Sequence, residues 1–239
     1  MRIVAGSIHD AMEKPVAAFL FWRNHNKFLF HLIALIILII LLPYFEQNFI
    51  DETFINILLA IVLISGVYAV SDTIRKLGIA LVLGVPSIIL GWMYLSNKVI
   101  LYEFIASVFS LLFFAFVTIT ILLSILREKN VCRDTLFGSI CVYILLGITW
   151  AVGYMVLEMA IPNSFAVAGL PGAGHLNTFS DYILYSFSNL TLLGSNGGLA
   201  VSSTAITMVT FEAICGTIYI AVLIAWLIGA YPHSPGKQG

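Results

Sequence analysis

The chain has 239 residues, 61% hydrophobic and 10% charged, where a soluble domain carries about 45–50% apolar and about 25% charged residues. That balance excludes a soluble globule, because a core of this size has no room for so much apolar surface. Eleven Lys and Arg against twelve Asp and Glu exclude a basic nucleic-acid binder, and the short, scattered charge runs exclude an acidic disordered chain.

Residues 1–27 place Asp10, Glu13, Lys14, Arg23 and Lys27 around a short apolar stretch, Val16–Trp22. This is the pattern of a helix lying in the membrane interface rather than of a cleavable signal. Six apolar runs follow: Phe28–Phe45, with His31 inside and Pro43 near its end; Phe54–Val70; Leu77–Leu95; Phe104–Leu126; Leu136–Leu157; and Ala205–Tyr231, with Glu212 inside. Each approaches the 20 or so residues that cross a hydrocarbon core of about 30 Å. Gly84, Pro86 and Gly91 in the third run predict a kink or a close helix contact. The fourth run contains no Arg or Lys, so it lacks the charges a voltage sensor needs. The three cysteines, Cys132, Cys141 and Cys215, have neither disulfide-framework nor metal-ligand spacing and read as small apolar residues.

The sequence therefore predicts an all-α membrane protein with six transmembrane helices. Ten of the eleven Lys and Arg residues fall on one side of the spans and Lys98 alone on the other, which predicts cytoplasmic termini. A plasma membrane is the default location. The expected organisation is an N-terminal cytoplasmic or interfacial segment (1–27), a four-helix scaffold (28–130), a distinct unit around the last two spans (131–231) and a cytoplasmic tail (232–239).

That last unit carries the chemistry. Between the fifth and sixth runs lies a shorter apolar piece, Phe179–Leu193, with Ser180 as expected N-cap and Asp181 suited to a helix start. Gly194, Ser195, Asn196, Gly197 and Gly198 follow. Both flanks face outward, so the piece enters and leaves by one side, and non-helical backbone at membrane depth is tolerated only beside protein or a water-filled cavity. A short helix followed by a Gly/Asn-rich return suits an ion filter, with the helix C-terminus favouring a cation.

This arrangement resembles the two-span pore module of potassium channels: outer helix, re-entrant pore helix, filter loop, inner helix. The resemblance rests on Phe179-Ser-Asp-Tyr and Leu184-Tyr-Ser-Phe, and on the stretch from Phe211-Glu-Ala-Ile-Cys-Gly to Gly229. It covers about two-fifths of the chain. It implies assembly as a homotetramer, with a heteromer containing another channel subunit left open. The filter would be Leu192, Leu193, Gly194, Ser195 and Asn196; Asp181, Tyr185, Thr191 and Glu212 would support the pore helix; and Gly216 would be a hinge or a close-contact position. Glu212 would lie behind the pore helix and hydrogen-bond to it.

The family's filter reads Thr-Val-Gly-Tyr-Gly, so here Leu replaces the hydroxyl of the innermost site, Ser the bracing aromatic and Asn the second glycine. Three readings follow: a pore weakly selective among monovalent cations (K+ and Na+), a non-conducting structural or modulatory subunit, or a potassium-selective channel despite the altered filter. Lipids and further copies of the chain are the expected partners, with no cofactor, and no metal beyond transient permeant ions. Glu158 and Asp181 face the expected outer vestibule, either concentrating cations there or serving as ordinary solvated groups. His175 reads as an ordinary loop histidine. No nucleophile–base or phosphate-cradling motif points to an enzyme, and no internal repeat points to a carrier.

Overall fold

The computed structural model describes residues 27–45, 49–128, 132–167, 176, 178–194 and 198–230. The expected interfacial segment before Lys27, His175, Ser195, Asn196, Gly197 and the tail from 232 lie outside them. The described residues are helical almost throughout: α1 (Lys27–Phe45), α2 (Phe49–Val70), α3 (Ile74–Asn97), α4 (Ile100–Arg127), α5 (Arg133–Ala160), the short α6 (Phe179–Leu190) and α7 (Ser203–Ala230). Six of these, all but α6, are long and apolar enough to cross a membrane.

Helices α1 to α5 pack each on the next, and α1 returns to α5. The charged ends gather at one end of the bundle. Lys27 Nζ meets Asp72 Oδ1 at 2.7 Å, Asp134 Oδ1 accepts the Phe28 amide at 3.2 Å, and one cavity is lined by Lys27, Asp72, Glu128 and Arg133. Helix α3 runs through Pro86 without ending. Its glycine serves the close contact: a Cβ on Gly84 would stand 3.3 Å from the Phe113 ring, and one on Gly66 of α2 would stand 3.1 Å from it. The fully buried Phe113 of α4 thus fills a socket made by two glycines.

His31 is wholly buried. Its Nδ1 lies 2.8 Å from Ser65 Oγ, and the Ser65 hydroxyl donates to the Val62 carbonyl at 2.9 Å. The imidazole hydrogen therefore sits on Nδ1 and points at Ser65, leaving Nε2 without a partner among the described residues.

Two three-residue strands accompany α6. Strand β1 (Phe165–Val167) pairs antiparallel with β2 (Gly198–Ala200), Phe165 opposite Ala200 and Val167 opposite Gly198. This ribbon is not apparent in the sequence, where Asn163–Asn177 reads as a loop. The carbonyl of Ser164 extends it by accepting the amides of Val201, at 2.8 Å, and Ser202, at 3.3 Å.

Candidate functional site

Helix α6 is 12 residues long, about 18 Å, too short to cross a membrane. It lies against α5 and α7. Its cap is Thr178, two residues before the expected Ser180. Thr178 Oγ1 accepts the Asp181 amide at 3.2 Å and Asp181 Oδ2 accepts the Thr178 amide at 3.0 Å, a reciprocal capping box that needs the carboxylate three residues after the cap. Ser180 instead lies buried in the first turn. Asp181 is thus committed to its own helix start.

One face of α6 is held by a polar knot. Glu212 of α7, 0% exposed, accepts the Tyr154 hydroxyl of α5 on one carboxyl oxygen and meets the Ser186 hydroxyl of α6 on the other. Ser186 Oγ also lies 2.7 Å from the Gly147 carbonyl of α5. Three helices converge on one carboxyl group, and a buried polar network of this kind is costly unless every member is satisfied. The Asn189 amide lies beside Glu212 without closing a hydrogen bond through Nδ2.

Around the knot, side chains of α6 enter spaces left by glycines. A Cβ on Gly147 would stand 2.7 Å from the Phe187 ring, one on Gly198 2.5 Å from Tyr185, and one on Gly216 2.8 Å from both Leu190 Cδ1 and the Leu190 carbonyl oxygen. Gly216 is therefore a contact position, inside a helix that runs unbroken from Ser203 to Ala230. Tyr185 also packs its ring 5.6 Å from that of Tyr154 and 5.7 Å from that of Phe165 in β1. Tyr182 donates to the Leu176 carbonyl at 2.9 Å. Burial raises its phenol above the ordinary range, and the Glu158 and Asp181 carboxylates raise it further, so it keeps the hydrogen it donates.

The carboxy end of α6 carries the main departure from a simple helix-then-extended return. The Leu192 amide donates to the Asn189 carbonyl at 3.1 Å and the Leu193 amide to the Ser188 carbonyl at 3.0 Å. This is a Schellman motif, with Leu192 in the left-handed position (φ 58°) that glycine normally takes. Gly194 is left-handed too, at φ 89°. Among the described residues, no hydrogen-bond donor meets the carbonyl oxygens of Leu192, Leu193 or Gly194. The side chains of Leu192 and Leu193 are 66% and 84% exposed. Thr191 caps the helix and donates its hydroxyl back to the Phe187 carbonyl at 2.7 Å.

Because left-handed geometry costs a non-glycine residue about 1–2 kcal/mol, replacing Leu192 with Gly is expected to stabilise the fold by about 1 kcal/mol. Chemical denaturation followed by helical circular dichroism checks this. An unchanged or lower midpoint would mean that packing of the leucine outweighs the relief of the backbone.

Glu158 is also committed to backbone: its carboxylate accepts the amides of Asn163 at 2.7 Å and Phe165 at 3.0 Å. Of the residues the sequence marks out, Glu212, Asp181, Tyr185 and Thr191 all lie on or against α6. Tyr154, Gly147 and Phe165 carry no such mark in the sequence, and Ser186 stands there only within a matching stretch. A hydroxyl midway along each of two apolar segments, with a carboxyl in a third, was the available signal. Among the described residues, no group of three or more His, Cys, Asp or Glu side chains is placed to hold a metal ion. Compared with protein-family models, curated proteins and solved structures, the chain matches none of them.

Proposed function

We propose that the chain is the pore-forming subunit of a tetrameric cation channel of potassium-channel-like architecture, weakly selective among monovalent cations. In this reading α5 is the outer helix, α6 the re-entrant pore helix, Leu192–Asn196 the filter strand and α7 the inner helix. The observation that carries it is the run of carbonyl oxygens at Leu192, Leu193 and Gly194 that meet no donor among the described residues, directly after the carboxy end of a helix wedged between two long apolar ones. Backbone carbonyls at membrane depth need a partner. A permeant cation supplies one, and the negative end of α6 favours it. One chain contributes one such strand, so closure requires copies around an axis. Helix α7, with 17% of its most apolar stretch buried against 56% for α5, leaves a face for them. Cytoplasmic termini and a plasma-membrane location complete the proposal.

Selectivity is weak in this reading because Leu192 is spent on the helix cap. Its side chain offers no hydroxyl, and a β-branched threonine is poorly suited to the left-handed backbone there. The same feature favours the second reading, a non-conducting subunit: two exposed leucine side chains stand where a hydrated ion would approach.

Purified protein in a planar bilayer, with potassium on one side and sodium on the other, tests both. Current reversing near zero voltage is the expected result. Reversal at the potassium limit would replace weak selectivity with potassium selectivity, and silence from a preparation shown to be tetrameric would favour the non-conducting subunit.

A further inference from the structure

A cavity of about 310 Å³ lies among α2, α3 and α4, reaching Met155 of α5 and the start of α6 at Thr178 and Phe179. It runs from Glu103 down to Ser110 along α4, about 10 Å of helix. Its walls include Leu59, Leu63 and Ile88. Its deeper polar groups are three serine hydroxyls and the side-chain amide of Asn56, which lies against Gly91. Ser87 Oγ and Ser110 Oγ lie 2.5 Å apart. Ser107, 6% exposed, lines the cavity and makes no hydrogen bond to any other described residue. Thr118, on the same helix, by contrast turns its hydroxyl back to the Phe114 carbonyl at 2.6 Å.

A hydroxyl left unbonded in so apolar a setting costs free energy unless something in the cavity meets it. The formal charges are confined to the rim: the Glu103 carboxyl at the mouth, and the Lys98 ammonium 5.3 Å from the centre of the Tyr94 ring. No charged side chain lines the deeper part. The space is ample for a ringed molecule, since a cavity of about 150 Å³ already holds benzene. It sits at the lower end of the small-molecule range.

We infer that this cavity binds a small, uncharged, hydroxyl-bearing amphiphile, with its hydroxyl on Ser107 and the Ser87–Ser110 pair and its apolar body against Leu59, Leu63 and Ile88. The hydroxyl can come from a free aromatic alcohol or from a membrane lipid that keeps one hydroxyl unesterified. The inference does not depend on the proposed pore and stands whether or not the chain conducts ions. Because Thr178 and Phe179 form part of the wall, an occupant touches the amino end of α6.

The test is photolabelling of the full-length protein in vesicles with a diazirine-bearing benzyl alcohol, the labelled residues being mapped by mass spectrometry. Labelling is expected at Tyr94, Glu103 or Met155, saturable, and displaced by excess benzyl alcohol but not by benzylammonium or benzoate. Ser107→Leu fills the space and should lower labelling tenfold or more. Ser107→Ala keeps the space, removes the hydroxyl and should weaken it about fivefold, the equivalent of one hydrogen bond of about 1 kcal/mol. Displacement by diacylglycerol but not by triacylglycerol would assign the hydroxyl to a lipid; a lack of effect from both would assign it to a free alcohol. Labelling that rises linearly and spreads over lipid-facing α1 and α7 would overturn the inference, leaving the cavity to water. Displacement by the charged analogues would overturn the assignment of an uncharged ligand, and full labelling of both Ser107 variants would overturn the site.

Discussion

Replacing Glu212 with leucine is expected to lower the stability of the folded protein by about 1–3 kcal/mol, whereas glutamine at the same position should cost about 1 kcal/mol or less. The Glu212 carboxyl receives the Tyr154 hydroxyl and meets that of Ser186, and the whole group is buried. Leucine fills the volume but strands the buried Tyr154 hydroxyl, which costs about 1–3 kcal/mol once it loses its partner. Glutamine keeps an oxygen for Tyr154 and offers an amide to Ser186, which retains the Gly147 carbonyl at 2.7 Å as its own acceptor. Thermal melting by circular dichroism measures the cost, and protease access to α6 shows whether the helix has left its seat. If the leucine variant melts with the parent protein, the knot does not hold α6. If glutamine is as damaging as leucine, an amide cannot stand in for the carboxyl in this network.

A second substitution distinguishes two roles by sign. Gly216→Ala in a helix whose glycine served only as a hinge should stabilise it, because alanine is favoured over glycine in a helix interior by about 1 kcal/mol. The packing predicts the opposite. The new Cβ would stand 2.8 Å from the carbonyl oxygen of Leu190 as well as from its side chain, and a backbone atom cannot swing aside. Overpacking of this kind costs about 1–3 kcal/mol, so a net loss is expected, growing further with valine, together with displacement of the carboxy end of α6. Denaturation midpoints of the two variants provide the measurement. A stabilised alanine variant would remove the contact role and leave the hinge.

The six long helices are legible because length and apolar content are local properties. Phe104–Leu126 in the sequence became Ile100–Arg127, extended at both ends but unmistakably one element. The third run shows a finer limit. Gly84 and Pro86 announced either a bend or a close neighbour, and only Phe113, from a different helix, decides that the glycine is a socket. The cap of α6 was misplaced by two residues because Ser180 and Thr178 are equally good cap residues in isolation. The reciprocal bonds with Asp181 choose between them. The polar knot joins Gly147, Tyr154, Ser186 and Glu212, which are separated by up to 65 positions, and a hydroxyl inside an apolar run has no periodic signature to reveal its partner. In the sequence Leu192 shows only its side chain, a missing hydroxyl. Its left-handed backbone, set by the end of α6, has no counterpart in the identity of the residue. The β1–β2 ribbon escaped for a similar reason: Phe-Ala-Val and Gly-Leu-Ala become strands only through each other.

That ribbon has an evolutionary consequence. By tying residue 165 to residue 200, and Ser164 to Val201 and Ser202, it closes the insert on itself, so the seating of α6 does not depend on the length of chain between β1 and Leu176. Loop-closure entropy grows only logarithmically, by about 0.6 kcal/mol for each doubling of length. The connection before α6 is therefore where this architecture can gain or lose residues at little thermodynamic cost.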